Sequence, residues 1–67
     1  MKVKVLKTDG RLGIKKGETY LAHRYYLDPS KVTLTSRIDD GYDPMCNQYI
    51  SEIEIIDTQP LMAEHGV

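Results

Sequence analysis

This 67-residue chain has no Trp, no Phe, one Cys and three Pro. Each shortage excludes something. Without Trp or Phe the core must be built from Val, Leu, Ile and the five Tyr, and a buried Tyr needs its hydroxyl led to water or to a partner. That favours a small barrel over a thick sandwich. The lone Cys46 can form no internal disulfide, which points to a reducing compartment and a fold without covalent staples. No apolar run approaches the roughly 20 residues needed to span a bilayer, and the N-terminus lacks the apolar core of a secretion signal. The expected setting is the cytoplasm, with no membrane partner.

A dominant charge is missing too. Nine Lys and Arg stand against ten Asp and Glu, a formal net charge of −1 with both signs interleaved. This argues against nonspecific nucleic-acid binding, which draws on excess positive charge, and equally against an acidic mimic of DNA. No phosphate-cradling loop is present, because Gly10, Gly13 and Gly17 lead into a β-rich stretch and not into a helix N-terminus. The length leaves room for one domain, whose apolar burial only just offsets its conformational entropy.

What is present is a succession of short β patterns. Residues 2–7 alternate Val3 and Val5 against lysines, the period of two of a half-buried strand, here read as an edge. A charged loop punctuated by Gly13 and Gly17 follows, and residues 19–27 resume with β-branched and aromatic side chains. With Tyr20 and Ala22 inward, Leu21, His23, Tyr25 and Leu27 fall on the other face unless a bulge near Arg24 switches them. Asp28, Pro29 and Ser30 supply a turn. Residues 31–38 read as the cleanest strand, with Val32, Leu34 and Ile38 inward, Ser36 as the one polar inward position, and Thr33, Thr35 and Arg37 outward. The Asp40-Gly41 pair marks the next turn. Residues 45–50 and 53–56 read as two last strands joined by a 3₁₀ turn at 51–52, with Tyr49, Ile53 and Ile55 in the core. The expected fold is all-β, a five-stranded SH3-like barrel over residues 1–57 with a flexible C-terminal tail over 58–67. The runner-up, an OB-fold, wants longer strands and a helix between the third and fourth.

The order of features resembles the small SH3-like barrel proteins encoded by bacteriophages and prophages, many without an assigned activity. The similar parts are Met1-Lys2-Val3-Lys4-Val5, the Lys16-Gly17-Glu18-Thr19-Tyr20 turn, the Ile38-Asp39-Asp40-Gly41 turn and the closing Tyr49-Ile50-Ser51-Glu52-Ile53-Glu54-Ile55-Ile56. The resemblance covers residues 1–57. That family shares no catalytic set, so the resemblance implies a fold and a phage or prophage setting, and no active residue.

Candidate chemistry is sparse. Asp39, Asp40 and Asp43 bring three carboxylates together, but the twelfth position counted from Asp39, where a calcium loop needs an acid, is Ile50. They read as turn residues. His23, His65 and Cys46 lack the paired close spacing of a structural zinc site, and no cofactor or metal is expected. A nucleophilic Cys46–His23 pair is the enzymatic option; a small apolar role for Cys46 is the simpler one. Two binding classes remain. In the first, side chains beyond the needs of the core, chiefly Leu21, Tyr25, Tyr26, Leu27 and Tyr42, form an apolar patch for a host protein or a second copy, and the chain is not an enzyme. In the alternative, Lys2, Lys4, Arg11, Lys15 and Lys16, from a first quarter holding six of the nine basic residues, track a phosphate backbone.

Overall fold

Val3 and Val5 are almost completely buried while Lys4 between them is exposed, so the alternation read from the sequence sets the first strand's two faces. The computed structural model describes residues 1–58. Five strands form one open antiparallel sheet: β1 (Lys2–Val5), β2 (Thr19–Arg24), β3 (Lys31–Arg37), β4 (Cys46–Tyr49) and β5 (Ile53–Asp57), with a 3₁₀ turn (Ile50–Glu52) before the last. The order across the sheet is β4-β3-β2-β1-β5. The all-β class therefore holds, whereas closure into a barrel is not seen. Thr58 follows β5 outside any strand, and the rest of the expected tail, 59–67, lies outside the described residues.

β1 is not an edge. It pairs with β2 on one side and β5 on the other, and its outward Lys4 and Lys2 stand opposite Glu54 and Asp57 of β5. Opposite charges across a ladder stabilise the pairing. The lysines thus serve a central strand rather than protecting an exposed one. The long loop, residues 6–18, returns onto the end of β1, where the Gly17 N–H donates to the Val5 carbonyl at 2.8 Å and the Val5 N–H to the Glu18 carbonyl at 2.9 Å. Asp9 and Ile14 bridge backbone to backbone across the loop's base and drive Ile14 wholly into the core. There it joins Val3, Val5, Tyr20, Ala22, Val32, Leu34 and Ile53, with Ile55 partly buried against them.

The main departure from the sequence pattern lies in β3. The ladder with β2 pairs Ala22 with Leu34 but Leu21 with Ser36, so Thr35 is an extra residue on β3, a bulge. One extra residue flips every later side chain to the opposite face. Ser36 therefore turns outward opposite Leu21, Arg37 comes to the inner side opposite Tyr20, and Ile38 is left 43% exposed instead of buried. The bulge thus falls in the middle of the β2–β3 ladder and not near Arg24. β2 itself stops at Arg24, three residues short of the expected end, because the chain turns through 25–30. Tyr49 also misses the core: β4 pairs Gln48 with Val32 and Tyr49 with Lys31, which sends Tyr49 outward beneath the Lys31 ammonium, 4.8 Å from its ring centre.

The flipped phase of β3 makes a direct expectation. Leu34→Ala should lower the free energy of unfolding by about 2–5 kcal/mol, the cost of a cavity under a large buried side chain. Ile38→Ala should cost less than about 1 kcal/mol, as at other exposed positions. Urea midpoints of the two variants measure the difference, and equal losses would contradict the bulge.

Candidate functional site

The residues proposed from sequence for partner binding lie at three places. Tyr25, Tyr26 and Leu27 begin the β2–β3 turn, Leu21 lies half-buried in mid-β2, and Tyr42 sits in the β3–β4 turn. The β2–β3 ladder runs from Tyr20 and Arg37 at one end to Arg24 and Val32 at the other, so Tyr42 and the tyrosines of the first turn occupy opposite ends. The five do not make one continuous patch.

The 25–30 turn is stapled from within. The Tyr25 N–H donates to the Lys31 carbonyl, the Asp28 N–H to the Tyr25 carbonyl and the Lys31 N–H to the Asp28 carbonyl, at 3.0–3.2 Å. The Asp28 carboxylate accepts from the Ser30 hydroxyl at 2.6 Å and from its N–H at 3.0 Å. These bonds, from the hydroxyl first, hold the Asp28 carboxyl below its usual range. Pro29, with its fixed φ and missing N–H, suits the turn and cannot extend a strand. On this turn Tyr26 is 87% and Leu27 67% exposed, while the Tyr25 and Tyr26 rings meet edge to face at 5.9 Å.

At the other end a polar cluster surrounds Arg37. One guanidinium nitrogen donates to the Glu18 carboxylate at 2.8 Å, and the Nε and the other terminal nitrogen donate to the two Asp40 oxygens at 2.9 and 2.7 Å. The same guanidinium lies 5.0 Å over the Tyr42 ring. Glu18 also accepts the Lys15 N–H at 2.7 Å and the hydroxyl of the buried Tyr20 at 3.2 Å. Tyr42 donates its hydroxyl to the Leu12 carbonyl at 3.0 Å. That approach is so close that a Cβ on Gly13, which also holds φ at 73°, would lie 3.0 Å from the Tyr42 oxygen. Tyr42 is thus engaged in tying the long loop to the β3–β4 turn.

The charges respond accordingly. The Arg37 hydrogen bonds, with the Tyr42 N–H, pull the Asp40 carboxyl down to about 2. Burial, then the neighbouring Glu18 carboxylate, pushes the Tyr20 hydroxyl up to about 12. Partial burial works to raise Glu18, but its bonds from Lys15, Tyr20 and Arg37 prevail and hold it below the ordinary value. Asp43 caps the Met45 N–H at 2.8 Å, helping the chain enter β4 through Met45, whose φ of 52° is unusual for a residue other than glycine. Two of the three clustered aspartates are therefore seen at work in the turn, and no described group of three or more His, Cys, Asp and Glu could hold a metal ion.

The basic candidates are dispersed. Lys2 and Lys4 share the outer sheet face with Asp57 and Glu54, Arg11 lies 4.0 Å from Asp9, and Lys15 and Lys16 stand exposed in the long loop. Cys46, paired with inward Leu34, and His23, which follows inward Ala22, lie on opposite faces. Burial raises the Cys46 thiol above its usual range, which disfavours the nucleophilic thiolate. The sequence offered no sign of a cleft of about 240 Å³ between loop residues Lys7, Thr8, Asp9 and Leu12 and the β4 residues Asn47, Gln48 and Tyr49. Its walls are distant in sequence, and only the folded loop brings them together. No family model matches the chain, and no curated protein or solved structure matches it either.

The cluster predicts how stability varies with pH. Asp40 is more acidic in the folded state, so its contribution is present above about pH 4 and is lost as pH falls through about 2. Tyr20 is less acidic when folded, so its contribution is present below about pH 10 and is lost as pH rises through about 12. Thermal melts across pH should fall off at both ends. Asp40→Asn should flatten the acid limb and Tyr20→Phe the alkaline one, and unchanged limbs would contradict the assignment.

Proposed function

We propose that this chain is a non-enzymatic binding module of the SH3-like barrel type, which docks a host protein through the apolar turn of Tyr25, Tyr26 and Leu27. The barrel reading draws support from the strand order β4-β3-β2-β1-β5, the long loop after β1 and the 3₁₀ turn before β5. A phage or prophage origin and action in the host cytoplasm belong to the same reading through the sequence resemblance.

The observation that carries the docking surface is the exposure of Tyr26 and Leu27 on a turn whose backbone is already bonded. Singly exposed apolar residues are ordinary. Here two large ones are adjacent, with the Tyr25 ring packed on that of Tyr26, and a stapled turn loses little further entropy when a partner closes over it. Aromatic anchors of this kind carry much of the energy in protein interfaces. Nucleic-acid binding through Lys2, Lys4, Arg11, Lys15 and Lys16 is the competing reading, and the acids opposite Lys2 and Lys4 weaken it.

A paired experiment separates the two. Tyr26→Ser/Leu27→Ser should melt within a few degrees of the wild type, since both side chains are largely in water, yet should recover little of the host protein that the wild type retains in a pull-down. Equal recovery would overturn the docking turn. Titration into single-stranded and duplex DNA at low salt should give no binding, whereas salt-sensitive binding would favour the basic residues instead.

A further inference from the structure

The sheet has two open edges, and they differ in protection. β5 carries Glu54 and Asp57, the kind of charge that discourages edge-to-edge pairing. β4 reads Cys46-Asn47-Gln48-Tyr49, without a charge or a proline. Its hydrogen-bonding phase follows from the register. The Ile50 N–H donates to the Ser30 carbonyl at 2.8 Å, so in the same ladder Gln48 with Val32 and Cys46 with Leu34 are the bonded pairs. Asn47 and Tyr49 are then the residues whose N–H and C=O point away from β3, along the side where the cleft opens.

We propose that this edge is a homodimer interface, in which β4 of one copy pairs antiparallel with β4 of a second about a two-fold axis at Gln48. Such an axis sets Asn47 opposite Tyr49 of the other copy and Gln48 opposite Gln48. In that register the Tyr49 N–H of each copy meets the Asn47 carbonyl of the other, while the Tyr49 carbonyl, which already accepts the first bond of the 3₁₀ turn, takes the Asn47 N–H as a second donor. The charges agree with it. The Tyr49 end of the strand carries the Lys31 ammonium over its ring, and Lys7 and Glu52 there offset one another at 3.8 Å. At the Cys46 end, Arg11 offsets Asp9 at 4.0 Å as Lys7 offsets Glu52, which leaves the Asp43 carboxylate acting on the thiol. Antiparallel pairing brings the basic end of each copy to the acidic end of the other. A parallel pairing would set like charges together.

The interface goes beyond the docking turn proposed above and shares no residue with it. A four-residue strand buries little area, so the association is weak and calls for protein concentrations up to about 1 mM. Sedimentation equilibrium should show the 7.7 kDa chain passing to twice that mass with concentration, less readily at high salt. Tyr49 already has φ −64°, the value proline imposes, so Tyr49→Pro removes an outward N–H from each copy without asking the strand to move. It should weaken dimerisation roughly tenfold or more, while Tyr49→Ala, which keeps the N–H, should stay within a few-fold of the wild type. Asn47→Lys, exposed and set against Lys31 of the second copy, should also weaken it, and serves if Tyr49→Pro fails to fold by circular dichroism. A monomeric wild type at every concentration, or a dimer indifferent to both weakening substitutions, would overturn the proposal. Tyr26→Ser/Leu27→Ser should leave dimerisation intact, which keeps this test separate from that of the docking turn.

Discussion

The constraint on which the rest of the structure depends is the single extra residue in β3. Thr35 has no residue opposite it in the β2 ladder, its hydroxyl donating instead to the Leu21 carbonyl at 3.1 Å, and by shifting the phase it delivers Arg37 to the side of Tyr20. There one guanidinium joins two parts of the chain: Glu18, at the end of the long loop, and the adjoining β3–β4 turn, where it bonds Asp40 and stacks on Tyr42. Tyr42 in turn reaches the Leu12 carbonyl. Without the bulge, Arg37 would point outward, and the loop that carries Ile14 into the core would lose this tie. With side-chain exposures near a fifth for Arg37 and Glu18, the pair is screened less than a surface ion pair and more than a buried one.

The same arrangement divides labour across the molecule. One end of the β2–β3 ladder is occupied by the Arg37 cluster, whose polar groups are turned toward each other. The opposite end presents Tyr26 and Leu27 to solvent. The uncharged edge of β4 forms a third surface along the side. A small domain with a thin core gains from such separation, because a substitution at the Tyr26–Leu27 turn or at the edge leaves the groups that hold the loop untouched.

Much of the fold was legible. Alternation placed Val3, Val5, Tyr20, Ala22, Val32 and Leu34 inward, Asp-Pro-Ser and Asp-Gly marked turns, and the 3₁₀ turn before β5 was expected one residue from where it starts. Ile38, Ser36 and Arg37 were misread together for one reason: a period-two pattern extrapolated past Leu34 cannot register an inserted residue, and Thr35 looks like any other strand position. In β1 the lysine alternation reads as an edge because it is the same whether the opposite charges come from solvent ions or from Glu54 and Asp57. For the site, Tyr26 and Leu27 were legible as surplus apolar residues. The engagement of Tyr42 was not, since it arises from a contact thirty residues away in sequence.

The tie made by Arg37 is tested most directly by amide hydrogen exchange in Arg37→Gln, a residue of similar reach without the charge. The account predicts faster exchange at Ile14 and Gly17, whose N–H groups bond the Asp9 and Val5 carbonyls at the base of the loop, with Val32 and Leu34 in the ladders keeping their protection. Unchanged exchange in the loop, or an equal loss across the whole sheet, would contradict it.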